Sequence, residues 1–163
     1  LKDFRVHIAG LSEKVHSFSF DIGEDFFGRY GSELVQSGQL KADVELDKRE
    51  TLMIARFRVL GSLKLICDRT LEPFDFPVEI DRKVHFKFGE AYREIDDEII
   101  VVRKDADTLD LGQFIYEFIA LAVPMKKLHP RLAEGDTEGV VYSSSTNPAE
   151  GADPRWEVLR KIK

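Results

Sequence analysis

The stretch Thr51-Leu52-Met53-Ile54-Ala55-Arg56-Phe57-Arg58-Val59-Leu60-Gly61-Ser62-Leu63-Lys64-Leu65-Ile66-Cys67 decides the fold. Met53, Ala55, Phe57 and Val59 share one phase of a two-residue period, and Leu63, Leu65 and Cys67 resume it beyond Gly61. Period two is the mark of a strand with one face against a core. A glycine inside so long a run predicts a bulge or bend. Upstream, Phe4–Ile8, Phe18–Ile22 and Leu40–Leu46 alternate in the same way. Downstream, Val78-Glu79-Ile80 and Val84–Phe88 alternate again, with Asp81-Arg82-Lys83 as a turn between them. Pro73 and Pro77 frame the segment that follows Cys67 and predict a strand at a sheet edge, because proline has no N–H for a ladder. Glu90–Glu98 reads as an acidic loop, and Ile99–Val102 as a short apolar strand.

Two segments carry helical spacing. Phe26, Phe27, Tyr30, Leu34 and Val35 place a helix within Glu24–Gln36, stopped by Ser37-Gly38. Asp110 can cap a second helix, Leu111–Val123, by accepting an orphan backbone N–H. Its apolar residues cover all but a stripe made by Gln113 and Glu117, so it packs on the sheet over most of its circumference, and Pro124 ends it. The expected architecture is α+β: a bent antiparallel sheet or partial barrel closed by one or two helices. A single domain is expected over residues 1–132, then a flexible acidic loop over 133–152, then a basic segment over 153–163 that packs back or docks.

The chain has 163 residues, one cysteine and a formal net charge of −6. That length suits one domain with a core that needs no disulfide staples. A lone cysteine cannot form an internal disulfide, which suits a reducing compartment. The absent initiator Met is taken as a trimmed start. No signal-like or membrane-spanning run is visible, so a cytoplasmic protein is expected. Net acidity argues against a surface coated with basic groups for nucleic acid. The charge is uneven: residues 1–123 carry −7, Pro124–Leu132 holds Lys126, Lys127 and Arg131 with no acid, and 153–163 is basic again.

The chemistry of common enzymes is absent. There is no phosphate-cradling glycine loop, no nucleophile elbow, and no histidine pair at metal-binding spacing among His7, His16, His85 and His129. Cys67 reads as a small buried hydrophobe on a strand. A hydrolase built on Glu117 and His129 is the weakest of the readings considered.

Two features stand apart from this plain background. Gly61 to Pro73 spells G-S-L-K-L-I-C-D-R-T-L-E-P, and Glu117, Leu121, Pro124 and His129 are followed downstream by Asp153-Pro154-Arg155-Trp156 and Leu159. In order and spacing these resemble the YceD family, whose members show G-x-[VL]-x-L-x-C-x-R-C-L-E-P, a helix with an internal Glu before a proline and a histidine, and an ending in D-P-R-[WF]. The resemblance implies site residues Gly61, Cys67, Arg69, Leu71, Glu72, Glu117, Pro124, His129, Asp153, Pro154, Arg155 and Trp156. It also implies a non-enzymatic role in accumulation of large-subunit ribosomal RNA. Thr70 stands where the family has its second cysteine, which leaves too few ligands for zinc, so no cofactor is expected.

The leading expectation is therefore an accessory factor in ribosomal RNA accumulation and large-subunit biogenesis. Lys126, Lys127, Arg131, Arg155, Arg160, Lys161 and Lys163 would meet RNA phosphates. The alternative is an adaptor that grips a ribosomal protein or RNA-processing enzyme without touching RNA, with an exposed strand beside Pro73 or Pro77, or the Trp156 tail, as docking element. Neither a membrane nor a small-molecule substrate is expected as partner.

Overall fold

A computed structural model describes residues 4–31, 34–35 and 37–133. The chain divides into one unit over Leu1–Pro130 and another over Arg131–Lys163. The acidic segment 133–152, but for its first residue, and the basic segment 153–163 lie outside the described residues, and with them Asp153, Pro154, Arg155, Trp156, Arg160, Lys161 and Lys163.

The elements run in order β1 (Arg5–His7), β2 (Val15–Ile22), α1 (Glu24–Tyr30), β3 (Ser37–Lys48), β4 (Leu52–Ile66), β5 (Pro73–Gly89), β6 (Arg93–Asp96), β7 (Ile99–Arg103), β8 (Thr108–Asp110), α2 (Leu111–Ala122) and α3 (Pro130–Ala133). A six-stranded sheet has the order β2-β3-β4-β5-β7-β6, and β1 pairs with β8 as a separate two-stranded ribbon. The α+β class holds. The sheet is open and does not close into a barrel. It is antiparallel except where β7 runs parallel to β5.

The two-residue period of β4 sorts the whole sheet. Met53, Ala55, Phe57, Val59, Leu63 and Leu65 are buried, and so are their cross-strand neighbours on β3, from Leu40 to Leu46 at even positions. This face receives α2 through Phe114 and Phe118, whose rings lie 6.2 and 5.3 Å from that of Phe57, while Phe114 also meets Phe86 at 5.3 Å. Burying each such side chain contributes roughly 1.5–3 kcal/mol. Phe4, Phe20 and Phe26 fill the other end of the same layer. The opposite face is a charged surface with cross-strand pairs such as Arg56–Asp81, whose guanidinium donates to both carboxylate oxygens at 2.9 and 2.6 Å.

Four expectations are corrected. Asp81-Arg82-Lys83 is no turn but the middle of β5, paired with Arg58, Phe57 and Arg56. All three are exposed: Asp81 and Lys83 alternate away from the core, and Arg82, on the inner face, lines a groove that Lys83 also borders. Gly61 makes no bulge: the register runs unbroken through Leu40↔Gly61 and Gly61↔Val78. Its φ of 150° lets β3 come close, and a Cβ there would sit 2.2 Å from the Gln39 carbonyl oxygen. The first helix stops at Tyr30, where Gly31 N–H bonds back to the Phe27 carbonyl at 2.9 Å. Within the acidic loop, Arg93–Asp96 forms β6, every residue of it exposed and its register against β7 irregular between Glu94 and Asp96. An exposed strand has no alternation to read.

Asp110 caps α2 as expected, its Oδ1 accepting the Gly112 N–H at 3.0 Å. The same oxygen accepts the Tyr30 hydroxyl at 2.8 Å, tying α1 to the start of α2. Among the described residues no helix is long and apolar enough to cross a membrane.

Candidate functional site

β4 and β5 form one long hairpin whose tip is the motif segment Cys67–Pro73. Its closing pair is made by Cys67 N–H donating to the Glu72 carbonyl at 2.9 Å, and Leu71 N–H donates to the Cys67 carbonyl at 2.9 Å. This tight return forces Leu71 to φ 58°, the left-handed region, and leaves its side chain 77% exposed. Arg69 and Glu72 are exposed on the same tip.

The second motif segment docks onto this tip. After Pro124 turns the chain out of α2, Asp68 N–H donates to the Lys127 carbonyl and Lys127 N–H donates to the Asp68 carboxylate, both at 2.7 Å. The Lys127 ammonium stands 3.8 Å from the other Asp68 oxygen. Two residues on, His129 N–H donates to the Cys67 sulfur at 3.4 Å, and the His129 ring packs on Phe74 with centroids 5.7 Å apart. Lys126 is exposed, and Arg131 is exposed on α3.

Cys67 exposes none of its surface. Its thiol is nevertheless pulled down from 9.0 to about 7, chiefly by the Thr70 hydroxyl, against the opposing effect of burial, with further help from the N–H groups of Thr70, His129 and Arg69. The Thr70 oxygen is buried and makes no well-formed hydrogen bond among the described residues. Donors converging on one sulfur are the arrangement that favours a thiolate. Here they come from the Thr70 hydroxyl and from main chain at both motif segments, so the sulfur is a joint between them.

Among the described residues no group of three or more His, Cys, Asp or Glu gathers to hold a metal. His129 meets Cys67 through its backbone N–H, not through its ring. Glu117 belongs elsewhere. It accepts a hydrogen bond from Gln113 at 2.8 Å and lines a groove between α2, β5 and the β6–β7 hairpin, whereas His129 sits at the hairpin tip; none of the described cavities is lined by both. Gly61 lies mid-strand and serves the close approach of β3. Sequence reasoning passed over Asp68, although it stands inside the motif, and it passed over Phe74 as the seat of the His129 ring.

The sequence model of the family described as large ribosomal RNA subunit accumulation protein YceD matches residues 55–163, more than half of the chain. The chain belongs to the YceD family. The match begins inside β4 and takes in the hairpin tip, α2 and the Lys127–His129 segment, so the elements that lock together at Cys67 are all YceD elements. The chain is also similar to the uncharacterized protein YlbN of Bacillus subtilis, 26% identical over 145 residues that cover 88% of this chain and 77% of that protein. No solved structure matches. Membership in YceD ties the chain to large-subunit ribosomal RNA accumulation as a process.

Proposed function

We propose that this YceD protein is a non-enzymatic accessory factor in ribosomal RNA accumulation and large ribosomal subunit biogenesis. The observation that carries the reading is the family match over 55–163. The separation of Glu117 from His129 supports a role without catalysis. The single cysteine, with Thr70 beside it, supports a role without a bound metal. In this reading the chain meets ribosomal RNA through Lys126, Lys127 and Arg131, with Arg155, Arg160, Lys161 and Lys163 further along. Asp68 already engages Lys127, so Lys126 carries a greater share of phosphate contact than Lys127.

The test has two arms. Deleting the gene lowers mature large-subunit ribosomal RNA relative to small-subunit RNA, and the wild-type chain restores it; an unchanged ratio overturns the function. Binding to large-subunit RNA fragments falls with salt, and replacing Lys126 and Arg131 together by Ala reduces the slope by about one per lost phosphate contact. A flat salt response overturns direct RNA contact alone.

A second reading, an adaptor for a basic protein of the ribosome or its processing machinery, is favoured by one observation. The groove that holds Glu117 also holds Glu94, Asp96, Asp97 and Glu98 against two basic residues, Arg82 and Lys83. Such a surface attracts cationic protein and repels phosphate.

A further inference from the structure

Strand β5 is only half enclosed. From His85 to Gly89 it lies between β4 and β7, but from Pro73 to Val84 its one partner among the described residues is β4. On the β7 side, His85 N–H donates to the Glu98 carbonyl at 2.7 Å and the Gly89 carbonyl accepts Lys104 N–H at 3.0 Å. The register with β4 is continuous from Ile66↔Pro73 to Leu52↔Lys87. In an unbroken strand successive residues direct their backbone groups to alternate sides. Parity therefore carries down from His85: Glu79, Asp81 and Lys83 turn their N–H and C=O groups to the open side. Pro73 and Pro77 share that parity, so their missing N–H groups fall on the open edge and cost the β4 ladder nothing. The prolines blunt the first part of the edge and leave Glu79–Lys83 available, the situation that invites strand addition.

Beside this edge lies the groove, about 580 Å³ in volume. A smaller hollow of about 260 Å³ continues it along Glu79–Arg82 beneath Phe118, Leu121 and Ala122. The inner wall is apolar, from Phe114, Phe118 and Leu121 of α2 and from Ile100; Leu121 is 77% exposed, and no described residue covers it. The rim carries five carboxylates, Glu117 on α2 and the others on and beside the β6–β7 hairpin, against two cations. An edge whose donors and acceptors have no partner among the described residues, an apolar wall on one side and excess negative charge call for one kind of occupant.

We propose that the groove receives an extended, basic peptide segment of a protein partner, added as a strand to β5 along Glu79–Lys83 in line with β7. Its backbone pairs with Glu79, Asp81 and Lys83. Every second side chain faces inward and is apolar, packing on Phe118 and Leu121, while Lys or Arg residues reach the carboxylate rim. This deepens the adaptor reading and rests on it. Charge selects protein over RNA, since the same rim that draws cations repels phosphates.

The test uses the full chain and a fluorescein-labelled peptide of about ten residues alternating lysine and valine, followed by anisotropy at low and physiological salt. The peptide binds, and its glutamate–valine counterpart does not. Glu79→Pro removes one edge N–H without touching the β4 ladder and weakens binding roughly tenfold, as does Leu121→Lys on the exposed helix face. The double variant Asp97→Lys/Glu117→Lys weakens it by a similar factor at low salt and less at high salt. Circular dichroism and thermal melting verify that each variant is folded. Equal affinity across folded variants, no binding by the wild-type chain, or displacement of the peptide by an RNA fragment overturns the proposal. So does a dimer of the free chain that Glu79→Pro dissociates, which assigns the edge to a second copy. In cells, a deletion rescued as well by Glu79→Pro and Leu121→Lys as by wild type removes the groove while the function stands. A deletion without effect on ribosomal RNA removes the function while the peptide measurement decides the groove.

Discussion

Asp68 and Lys127 hold each other by two hydrogen bonds: each main-chain N–H donates to the other residue, at 2.7 Å, with the carbonyl of Lys127 and the carboxylate of Asp68 as acceptors. The pair closes a contact between a hairpin tip and a segment nearly sixty residues later. The charge pair between their side chains is partly exposed and adds little, since such pairs are worth about 0–1 kcal/mol. The hydrogen bonds do more, because without them the 124–129 segment has few reasons to lie where it does.

Asp68→Ala removes the acceptor and is expected to cost about 1–2 kcal/mol of stability, measured by urea unfolding. Asp68→Asn keeps an acceptor oxygen and loses less. Amide exchange provides the local readout: the Lys127 and His129 amides lose protection in Asp68→Ala, while amides in the middle of β4 do not. Uniform loss across the sheet would refute the lock as a local device.

The hairpin tip also tunes Cys67. With the thiol drawn down to about 7 by the Thr70 hydroxyl first and then by backbone donors, the ultraviolet absorbance of the thiolate titrates near neutrality in the folded chain. Thr70→Val moves the midpoint up toward 9.0. The sign for stability follows from an acid whose folded value is depressed. The extra stability is absent below about 7, grows between about 7 and 9.0, and is full above that, so the gap between wild type and Thr70→Val widens as pH rises through this window. A gap that is constant over the window contradicts the assignment.

Tyr30 and Asp110 give the opposite sign. Burial first, then the hydrogen bond to Asp110 and its charge, push the Tyr30 phenol up to about 12. A raised acid contributes its stability in full below 10.0 and loses it as pH climbs from 10.0 to about 12. Tyr30→Phe is expected to cost about 1 kcal/mol at neutral pH, a difference that vanishes above the upper value. Asp110→Ala costs roughly 2 kcal/mol, because the cap of α2 goes with the Tyr30 bond. In a double-mutant cycle the two losses are less than additive, since Oδ1 serves both partners.

Gly61→Ala is expected to be among the most damaging single changes on the sheet. The added Cβ would lie 2.2 Å from the Gln39 carbonyl oxygen and 2.6 Å from the Leu40 Cα, both main chain, and φ is 150°. Nothing flexible can move aside, so the loss is on the order of 3 kcal/mol, read from the urea midpoint. A loss comparable to that of Ser62→Ala next door would show that the strands part easily here.

Much of this was legible from residues alone. The phase of β4, the Asp110 cap and the proline stop after α2 each follow from one local rule, and each is as expected. The β5 strand was cut in two because Asp81-Arg82-Lys83 breaks the alternation. The structure explains why the break is harmless: Arg82, on the inner face, meets the groove instead of packed side chains. Strand β6 was invisible because pairing with β7, not burial, holds it. At the site, the motif named Cys67 and His129 without placing them together; the fold brings the His129 N–H to the Cys67 sulfur. The motif could not show that Asp68 joins them, because the bonds involve main chain on the Lys127 side, and a backbone partner leaves no trace in side-chain identity.

Leu71 poses the sharpest separation between structure and function. It is bulky, left-handed and 77% exposed, a combination that gives the folded chain a strained backbone and little burial in return. Left-handed backbone costs a branched L-residue about 1–2 kcal/mol, and glycine avoids that cost at the expense of a more flexible unfolded chain. Leu71→Gly is therefore expected to be neutral or to stabilise by up to about 1 kcal/mol in thermal melting. If the leucine serves only the hairpin, rescue of ribosomal RNA accumulation by Leu71→Gly equals that of wild type. The expected result is the reverse: a chain at least as stable that rescues poorly, because an exposed apolar side chain held in a strained turn gains its value from a contact outside the chain. Equal stability with full rescue would reduce the Leu71 side chain to an accident of the turn.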